Sequence, residues 1–432
     1  MHLLRVASVL AVVLSFPSAV FAQQQPAPQR PAQSTQSAQT APQKPQSPEQ
    51  QDAEARKKLE ADIAKELGQS GAKTAPAAPQ GQPAAIAAAQ GSTGGNPMAR
   101  LLLLPDISAV GSFAAAFDDY DVAARSPREG LFGPKDKPTP LFQELELGLQ
   151  SVIDPYARAD IFISFTPDGV DVEEAYLTTL NLPGGLQLRA GKFFSPLGRQ
   201  NQQHPHVWDF IDAPLARNRL VAGEVLSGPG VDVAWLAPLP WFAELHLAGQ
   251  GTKPFDVPGA EERLTGMARL LQYFPLGTAT TLGVGFSAAR RDEASGGGFR
   301  DLGAADLYLR WRPLETRSYL TLQGEVYTRK FRNIEGGRSD TGGFAQLFWR
   351  QDAHYGYGVR YDDAPVGPAF GAAEDVASGT ERRYGAVAIW YPSEFQRLRL
   401  QVSYDQRPDR QDGVEVLLAL ELGIGSHGAH PF

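Results

Sequence analysis

The sequence contains no cysteine in 432 residues. This absence excludes disulfide-stapled folds, Cys-ligated zinc or iron–sulfur sites and thiol catalysis. The formal net charge is −8, which argues against nucleic acid as a partner, because nucleic-acid recognition starts from a basic patch. The motifs G-x-S-x-G and H-E-x-x-H do not occur, so the sequence predicts a protein that is not an enzyme.

Long apolar runs are scarce as well. Residues 1–22 are typical of a secretory signal peptide, with a basic Arg5, an apolar run from Val6 to Phe16 and a small Ala22 before the expected cut. No later segment approaches the ~20 consecutive apolar residues that a membrane-spanning helix needs. We therefore expect the protein to be exported without becoming a bundle of membrane helices.

Aromatic residues are nearly absent from the N-terminal part, where only Phe16 and Phe21 precede residue 99. Residues 23–98 hold 15 Gln and 10 Pro, a composition that cannot bury enough apolar surface to offset the entropy of ordering. They are predicted to form a disordered, low-complexity periplasmic arm with one short helix over residues 48–67. Its narrow apolar stripe could pair with copies of itself or with a periplasmic partner, and the alternative is a transient helix within a tether.

The rest of the chain, residues 99–432, alternates apolar and polar residues with a period of two, which is typical of strands with one apolar face. Between Val414 and Ile424, every second residue is Val, Leu or Ile, and Glu415 and Glu421 lie among the residues between them. Between Gln396 and Tyr404, the apolar positions alternate with Arg, Gln and Ser. One face is therefore expected to contact lipid and the other to contact water.

Sixteen such segments can be delimited, and short turns carrying Pro or Gly mostly alternate with longer polar loops between them. The predicted segments are 106–118, 140–152, 156–165, 170–180, 185–193, 229–237, 241–250, 263–274, 279–290, 300–312, 317–330, 342–352, 354–362, 381–391, 395–405 and 412–424. Short turns on one rim and long loops on the other are typical of outer-membrane barrels. The sequence thus predicts an all-β protein, a transmembrane antiparallel β-barrel of about sixteen strands in the lipid of the Gram-negative outer membrane.

The longest connection, from Phe194 to Gly228, carries aromatic and charged residues that a purely external loop would not need. We expect it to constrict the lumen through four charged residues, Asp209, Asp212, Arg217 and Arg219. Lumen-facing positions inferred from the alternation supply further charges of both signs: Arg158, Asp160, Arg310, Arg312, Glu325, Arg397 and Arg399. For each of these residues the alternative is a polar side chain that simply faces a wet lumen.

A family resemblance rests on two segments. Leu188–Asn201 reads LRAGKFFSPLGRQN and resembles the strand-plus-loop signature of outer-membrane porin-type barrels, including the G-K-x-x-x-P-x-G segment of phosphate-selective porins. This segment and the tail from His427 to Phe432 also look like those of the group labelled zinc-regulated TonB-dependent outer membrane receptor. The resemblance implies outer-membrane solute passage, a homotrimer, and Phe432 as the signal that the barrel-assembly machinery reads.

Two of the seven histidines, His204 and His206, lie close together in the long loop. With Asp209 they offer two imidazoles and one carboxylate, a ligand set that zinc accepts. The alternative is a pair of histidines that only pack or form hydrogen bonds. Apart from this zinc site, the sequence predicts no cofactor.

Taken together, these patterns predict a channel that passes small hydrophilic solutes or ions into the periplasm and is constricted by the 194–228 loop. Two alternatives remain open: a gated zinc uptake receptor, and a structural barrel that anchors the envelope through its arm.

Overall fold

The structure is a computed structural model that describes residues 105–118, 141–221, 225–253, 262–292, 298–332, 339–366, 379–408 and 412–425. The predicted signal peptide (1–22), the arm (23–98) with its helix (48–67) and the terminal Phe432 lie outside the described residues.

Sixteen antiparallel strands close into a barrel, in which each strand pairs with its neighbours in sequence and β1 pairs with β16. The strands are β1 (Asp106–Asp118), β2 (Leu141–Asp154), β3 (Ala157–Thr166), β4 (Gly169–Thr179), β5 (Leu186–Phe194), β6 (Ser227–Leu236), β7 (Phe242–Thr252), β8 (Arg263–Pro275), β9 (Thr280–Asp292), β10 (Phe299–Trp311), β11 (Tyr319–Arg332), β12 (Ser339–Arg350), β13 (Tyr355–Val366), β14 (Gly379–Ser393), β15 (Gln396–Gln406) and β16 (Gly413–Gly425). Closure leaves no strand edge unpaired. A membrane-spanning sheet must be closed in this way, because the hydrocarbon core offers no hydrogen-bond partners to free backbone groups. The predicted fold class and strand number are confirmed.

The outer surface of the barrel is apolar, as the alternation predicts. Large side chains such as Leu418 and Leu420 of β16 point outward, whereas Leu417 and Glu421 are buried on the lumen side. Aromatic rings are concentrated on this outer surface: Trp390 is 47% exposed and does not contact the lumen. An apolar outer band with aromatic residues matches a surface that faces lipid.

The short turns are stabilised by their own side chains. Asp154 Oδ1 accepts hydrogen bonds from the backbone N–H groups of Tyr156 (2.8 Å) and Ala157 (2.9 Å). Asp352 Oδ1 does the same for the N–H groups of His354 (2.7 Å) and Tyr355 (3.0 Å). An aspartate that bonds the backbone two residues ahead replaces a backbone turn, so these local sequences fix one rim of the barrel.

The described helices are short. One α-helix, α1, spans Leu215–Leu220, and single 3₁₀ turns occur at Pro183–Gly185, Gln200–Gln202 and Pro205–Val207. None of the helices in the described part of the chain is long and apolar enough to cross a membrane.

Candidate functional site

The connection between β5 and β6 enters the lumen, and its described residues, 195–221 and 225–226, are called L3 below. Its two ends are held together by Asn201, whose Nδ2 donates to the carbonyl oxygens of Ser195 (3.0 Å) and Leu226 (2.9 Å). Asn201 Oδ1 in turn accepts from the N–H of Leu226 (2.9 Å). One buried amide therefore continues the pairing of β5 and β6 beyond the barrel wall and directs the loop inward.

L3 is bonded to the barrel wall on several sides. The N–H of Gly198 donates to Ser287 Oγ on β9 (3.1 Å), and the N–H of Gln200 donates to Glu325 Oε1 on β11 (2.6 Å). Glu325 is only 1% exposed. This predicted lumen carboxylate therefore anchors the loop and is not open to a passing solute.

Asp212 ties L3 to the far side of the barrel. Its two carboxylate oxygens accept from Arg360 on β13 (2.7 Å) and Arg383 on β14 (2.6 Å), and Gln401 on β15 also donates to it (2.6 Å). Burial alone would raise the pKa of Asp212, but the two guanidiniums hold it well below its usual range. Since β13 lies half-way around the barrel from β5, L3 crosses the whole lumen.

The neighbouring part of L3 is held by its backbone. Arg399 on β15 donates to the carbonyl oxygens of Trp208 and Phe210 (both 3.1 Å), and Arg397 also donates to that of Trp208 (3.0 Å). Both guanidiniums pair with Glu421 on β16 as well. Arg397 and Arg399, predicted as lumen charges, thus position the loop while sharing one carboxylate, that of Glu421.

Apolar packing fixes the rest of L3. Leu215 and Leu220 of α1 are buried in a cluster with small lumen-facing residues of the wall, among them Ala248, Ala289 and Ala304. The small side chains leave room for a helix inside the barrel, and close packing makes that fit stabilising.

The two predicted arginines of α1 have different surroundings. Arg217 is buried and donates to the side chain of Asn218 (2.8 Å). Arg219 pairs with Glu381 on β14. Arg219 therefore anchors α1 to the wall, whereas the hydrogen bond of Arg217 lies within α1.

Among the cavities beside L3 in the described part of the chain, two contain the predicted charges Arg158, Asp160, Asp209 and Arg310. The larger, of about 440 Å³, is lined mainly by strands β2 to β8 and contains the predicted pair Arg158 and Asp160. Asp160 accepts from Arg158 Nε (2.9 Å) and from Gln150 (2.8 Å). Carboxylates and guanidiniums alternate around this cavity, as in the pair Arg189 and Asp232 (3.0 Å), so its wall presents charges of both signs.

The smaller cavity, of about 100 Å³, contains the predicted residues Asp209 and Arg310 together with Arg199. The Arg199 guanidinium lies 4.0 Å from the ring centre of Tyr308, and that of Arg310 lies 5.0 Å from the ring centre of Tyr319. Burial raises the pKa of Asp209 to about 6, against the opposing effect of nearby arginines. The Asp209 carboxyl group thus lines the same cavity as two guanidiniums that lie over aromatic rings.

The predicted metal ligands are only partly brought together. His204 and His206 converge on Glu146 of β2, with all ligand atoms within 4.8 Å of one another, whereas Asp209 does not belong to this group. Asp209 lines the smaller cavity instead. The structure thus brings Glu146 to the two histidines and leaves Asp209 outside this group, because the turn at Pro205–Val207 lets the histidines face the wall while Asp209 lies further along the loop.

Arg312 is also misplaced by the prediction. Strand β10 ends at Trp311, so Arg312 belongs to the following turn, where it is exposed and its N–H bonds the carbonyl of Ala279 (2.7 Å). It lies at the short-turn rim, away from L3.

Comparison of sequences shows one relative. No family model matches the chain. An uncharacterized protein of Aquifex aeolicus (strain VF5) is 30% identical over 325 residues, which cover 66% of this chain and 69% of the relative.

Comparison of structures shows similarity to several porins. The anion-selective porin from Comamonas acidovorans matches with a TM-score of 0.51 at 9% identity, over 74% of this chain and 99% of the porin. The outer membrane channel DcaP of Acinetobacter baumannii matches with a TM-score of 0.51 at 13% identity, over 74% and 97%. Pseudomonas putida OprB matches with a TM-score of 0.51 at 11% identity, over 74% and 94%. At these identities the likeness shows a shared barrel fold.

Proposed function

We propose that this chain, which belongs to the same family as the uncharacterized Aquifex aeolicus protein, is an outer-membrane channel for small hydrophilic solutes or ions. The observation that carries the proposal is L3, which crosses a sixteen-stranded lumen through Asp212 and leaves beside it a cavity of about 440 Å³ whose wall includes charged side chains. A barrel of this size without such a loop would hold a wide aqueous channel. L3 is then the element that narrows the channel.

The direct test is single-channel conductance of the purified, folded protein in a planar bilayer containing potassium chloride. We expect discrete current steps with a measurable ion preference, because the cavity walls carry charges of both signs. Correct folding is verified beforehand by heat-dependent migration in gel electrophoresis. Folded protein that inserts into the bilayer without conducting would overturn the channel and favour the structural, envelope-anchoring barrel.

Asp209 gives the channel a pH-dependent ion preference. With its pKa at about 6, this carboxyl group is mostly neutral at about pH 5 and mostly ionised at about pH 7.5. Ionisation adds one negative charge opposite Arg199 and Arg310. We therefore expect the permeability ratio of K⁺ to Cl⁻ to rise with pH over this interval, most clearly at low salt, where screening is weak. Reversal potentials under a salt gradient measure the ratio.

The control for this prediction is a pair of Asp→Asn variants. Asp209→Asn should hold the ratio near its acidic value at both pH values. Asp168→Asn, which changes an exposed carboxylate in the two-residue turn between β3 and β4, should leave the pH dependence intact. A pH dependence that survives in Asp209→Asn would assign it to another group.

We also propose that the protein assembles as a homotrimer and that the barrel-assembly machinery reads Phe432. The support is the resemblance to porin-type barrels, and the apolar outer surface offers the lipid contact such an assembly needs. Chemical cross-linking in outer-membrane vesicles tests the trimer, and deletion of Phe432 tests the assembly signal. A periplasmic partner for the 48–67 helix is proposed on its apolar stripe, and pull-down with an arm-deleted control tests it.

A further inference from the structure

Six ionisable side chains meet where L3 passes β2 and β4, and they are called the Glu/His cluster: Glu144, Glu146, Glu173, Glu174, His204 and His206. Glu146 Oε2 lies 2.9 Å from His204 Nδ1 and 3.2 Å from His206 Nδ1. Glu173 Oε2 lies 3.0 Å from the same nitrogen of His204. Glu146, His204 and His206 therefore converge, with one ligand atom of each within 4.8 Å of the other two, and Glu173 contacts the same nitrogen of His204.

The chain forms this cluster through a defect in strand pairing. Across β3 and β4, Phe162 pairs with Glu174 and Ile163 pairs with Val172, so Glu173 is an extra residue in a bulge. In a regular strand Glu173 and Glu174 would point to opposite faces, whereas a bulge re-aims a side chain. The bulge brings both carboxylates to the lumen side, where each contacts His204.

The surroundings of His204 match those of a metal-bound histidine. While Nδ1 faces Glu146 and Glu173, the other nitrogen, Nε2, lies 2.9 Å from Glu174 Oε2. Glu174 is itself fixed by the N–H of Phe194, which donates to its Oε1 (2.8 Å). A metal-bound histidine usually donates its second N–H to a carboxylate, which sets its tautomer and ring orientation. Glu174 has that position here.

The charge of the cluster also favours a bound cation. Four carboxyl groups face only two imidazoles, so the acidic side chains of the cluster outnumber the basic ones. Like charges buried close together disfavour ionisation unless an opposite charge lies among them. His204 is 1% exposed and Glu146 is 4% exposed, so water screens them little. A divalent ion bound by ionised carboxylates would remove this imbalance.

We propose that the Glu/His cluster binds a divalent transition metal ion, with zinc as the best fit, through Glu146 Oε2, Glu173 Oε2 and the Nδ1 atoms of His204 and His206. Four ligands of imidazole nitrogen and carboxylate oxygen suit tetrahedral zinc at bond lengths of about 2.0–2.2 Å. Such a geometry sets ligand atoms about 3.4 Å apart. Glu146 Oε2 already lies 2.9 Å and 3.2 Å from the two imidazole nitrogens, and Glu173 Oε2 lies 3.0 Å from that of His204. The ion would clamp residues 204–206 of L3 to β2 and β4.

Another lumen histidine provides a matched control. His246 on β7 lies between two carboxylates at the same distances, with Nδ1 3.0 Å from Asp232 and Nε2 3.0 Å from Glu244. Its two carboxylates are on opposite ring nitrogens, so no point exists where three ligand atoms converge. His246 therefore reproduces the ion pairs of the cluster without the geometry of a metal site.

The experiment uses the folded full-length barrel in detergent, stripped with EDTA and titrated with zinc chloride by isothermal calorimetry. We expect one ion per chain for the wild type and for His246→Ala. Glu146→Gln and His206→Ala should each weaken binding by more than about tenfold, since loss of even an outer ligand costs that much. Magnesium chloride at the same concentration should not bind comparably, because magnesium prefers all-oxygen sites.

A second measurement keeps the test decisive if a variant folds poorly. Zinc chloride should raise the unfolding temperature of the wild type and of His246→Ala, because an ion that binds only the folded state stabilises it. Absence of stoichiometric zinc binding by folded wild type, or equal binding by folded Glu146→Gln, would overturn the metal site and leave an ion-paired histidine. Neither measurement depends on conductance, so the metal site and the proposed channel are tested independently of each other.

Discussion

Replacing Asp212 with alanine should open the channel, with a higher unit conductance than the wild type. This carboxylate is the point where L3 reaches the opposite wall, and it bonds Arg360, Arg383 and Gln401. Removing one partner of a buried ion pair costs about 3–5 kcal/mol, which is a large share of the energy that holds a single loop segment. Because its pKa is held well below the usual range, Asp212 is ionised at neutral pH and the anchor is intact there.

The change in conductance should be accompanied by a change in protease sensitivity. Arg217 and Arg219 of α1 are shielded in the docked loop, so trypsin should cleave after them in Asp212→Ala and spare them in the wild type. Asp160→Ala is the matched control for trypsin sensitivity, because it also removes a buried lumen carboxylate that pairs with an arginine, Arg158, on a wall that Asp212 does not contact. Equal conductance and equal trypsin resistance in Asp212→Ala would show that L3 is held by its other contacts.

The barrel could be predicted from the sequence because the patterns that define its strands and turns lie within short stretches of the chain. Alternation with a period of two within β16, and turn residues such as Asp154 and Asp352, fix strand and turn one after another without knowledge of distant partners. Since every strand pairs with its neighbours in sequence, the order of the strands is also the order of the sheet. The predicted strand number is therefore confirmed, and strand ends differ by a few residues at most.

The site could be predicted only in part, because its contacts join distant parts of the chain. Asp212 and Arg360 are 148 residues apart, and alternation shows which face Arg360 occupies without showing what it meets. The proposed metal ligands illustrate the same limit. Asp209 was predicted as a ligand because it is close to His206 in sequence, whereas the fold brings Glu146 to the two histidines. Glu173 reaches His204 through a bulge in β4, which the sequence pattern does not predict.

The structure explains why the segment Leu188–Asn201, which resembles a porin signature, contains two glycines. Gly191 has φ +138°, and a Cβ there would lie 2.2 Å from the carbonyl oxygen of Ala175 on β4. Gly198 has φ +69°, and a Cβ there would lie 2.4 Å from Glu325 Oε2. The first glycine lets β5 approach β4 closely, and the second lets L3 turn into the lumen against β11.

Gly198→Ala should therefore destabilise the protein by about 3 kcal/mol and loosen the start of L3. A left-handed backbone costs a non-glycine residue about 1–2 kcal/mol. The new methyl group must also displace Glu325, which is held by the N–H of Gln200 (2.6 Å) and the hydroxyl of Tyr327 (2.5 Å). A hydrogen bond to a charged group contributes about 1.5–3 kcal/mol, so its loss adds to the backbone strain. Urea unfolding in detergent micelles measures the difference.

Gly277→Ala separates these two causes. Gly277 has nearly the same backbone, φ +79°, but nothing lies within 4 Å of its Cβ position. Alanine at this short turn should cost only the backbone strain of about 1–2 kcal/mol and leave conductance unchanged. If the two variants lose equal stability, the Glu325 side chain moves aside without an energetic cost and does not hold the loop. A larger loss in Gly198→Ala, together with altered conductance, would mean that the hydrogen bonds of one buried carboxylate set the position of the constriction.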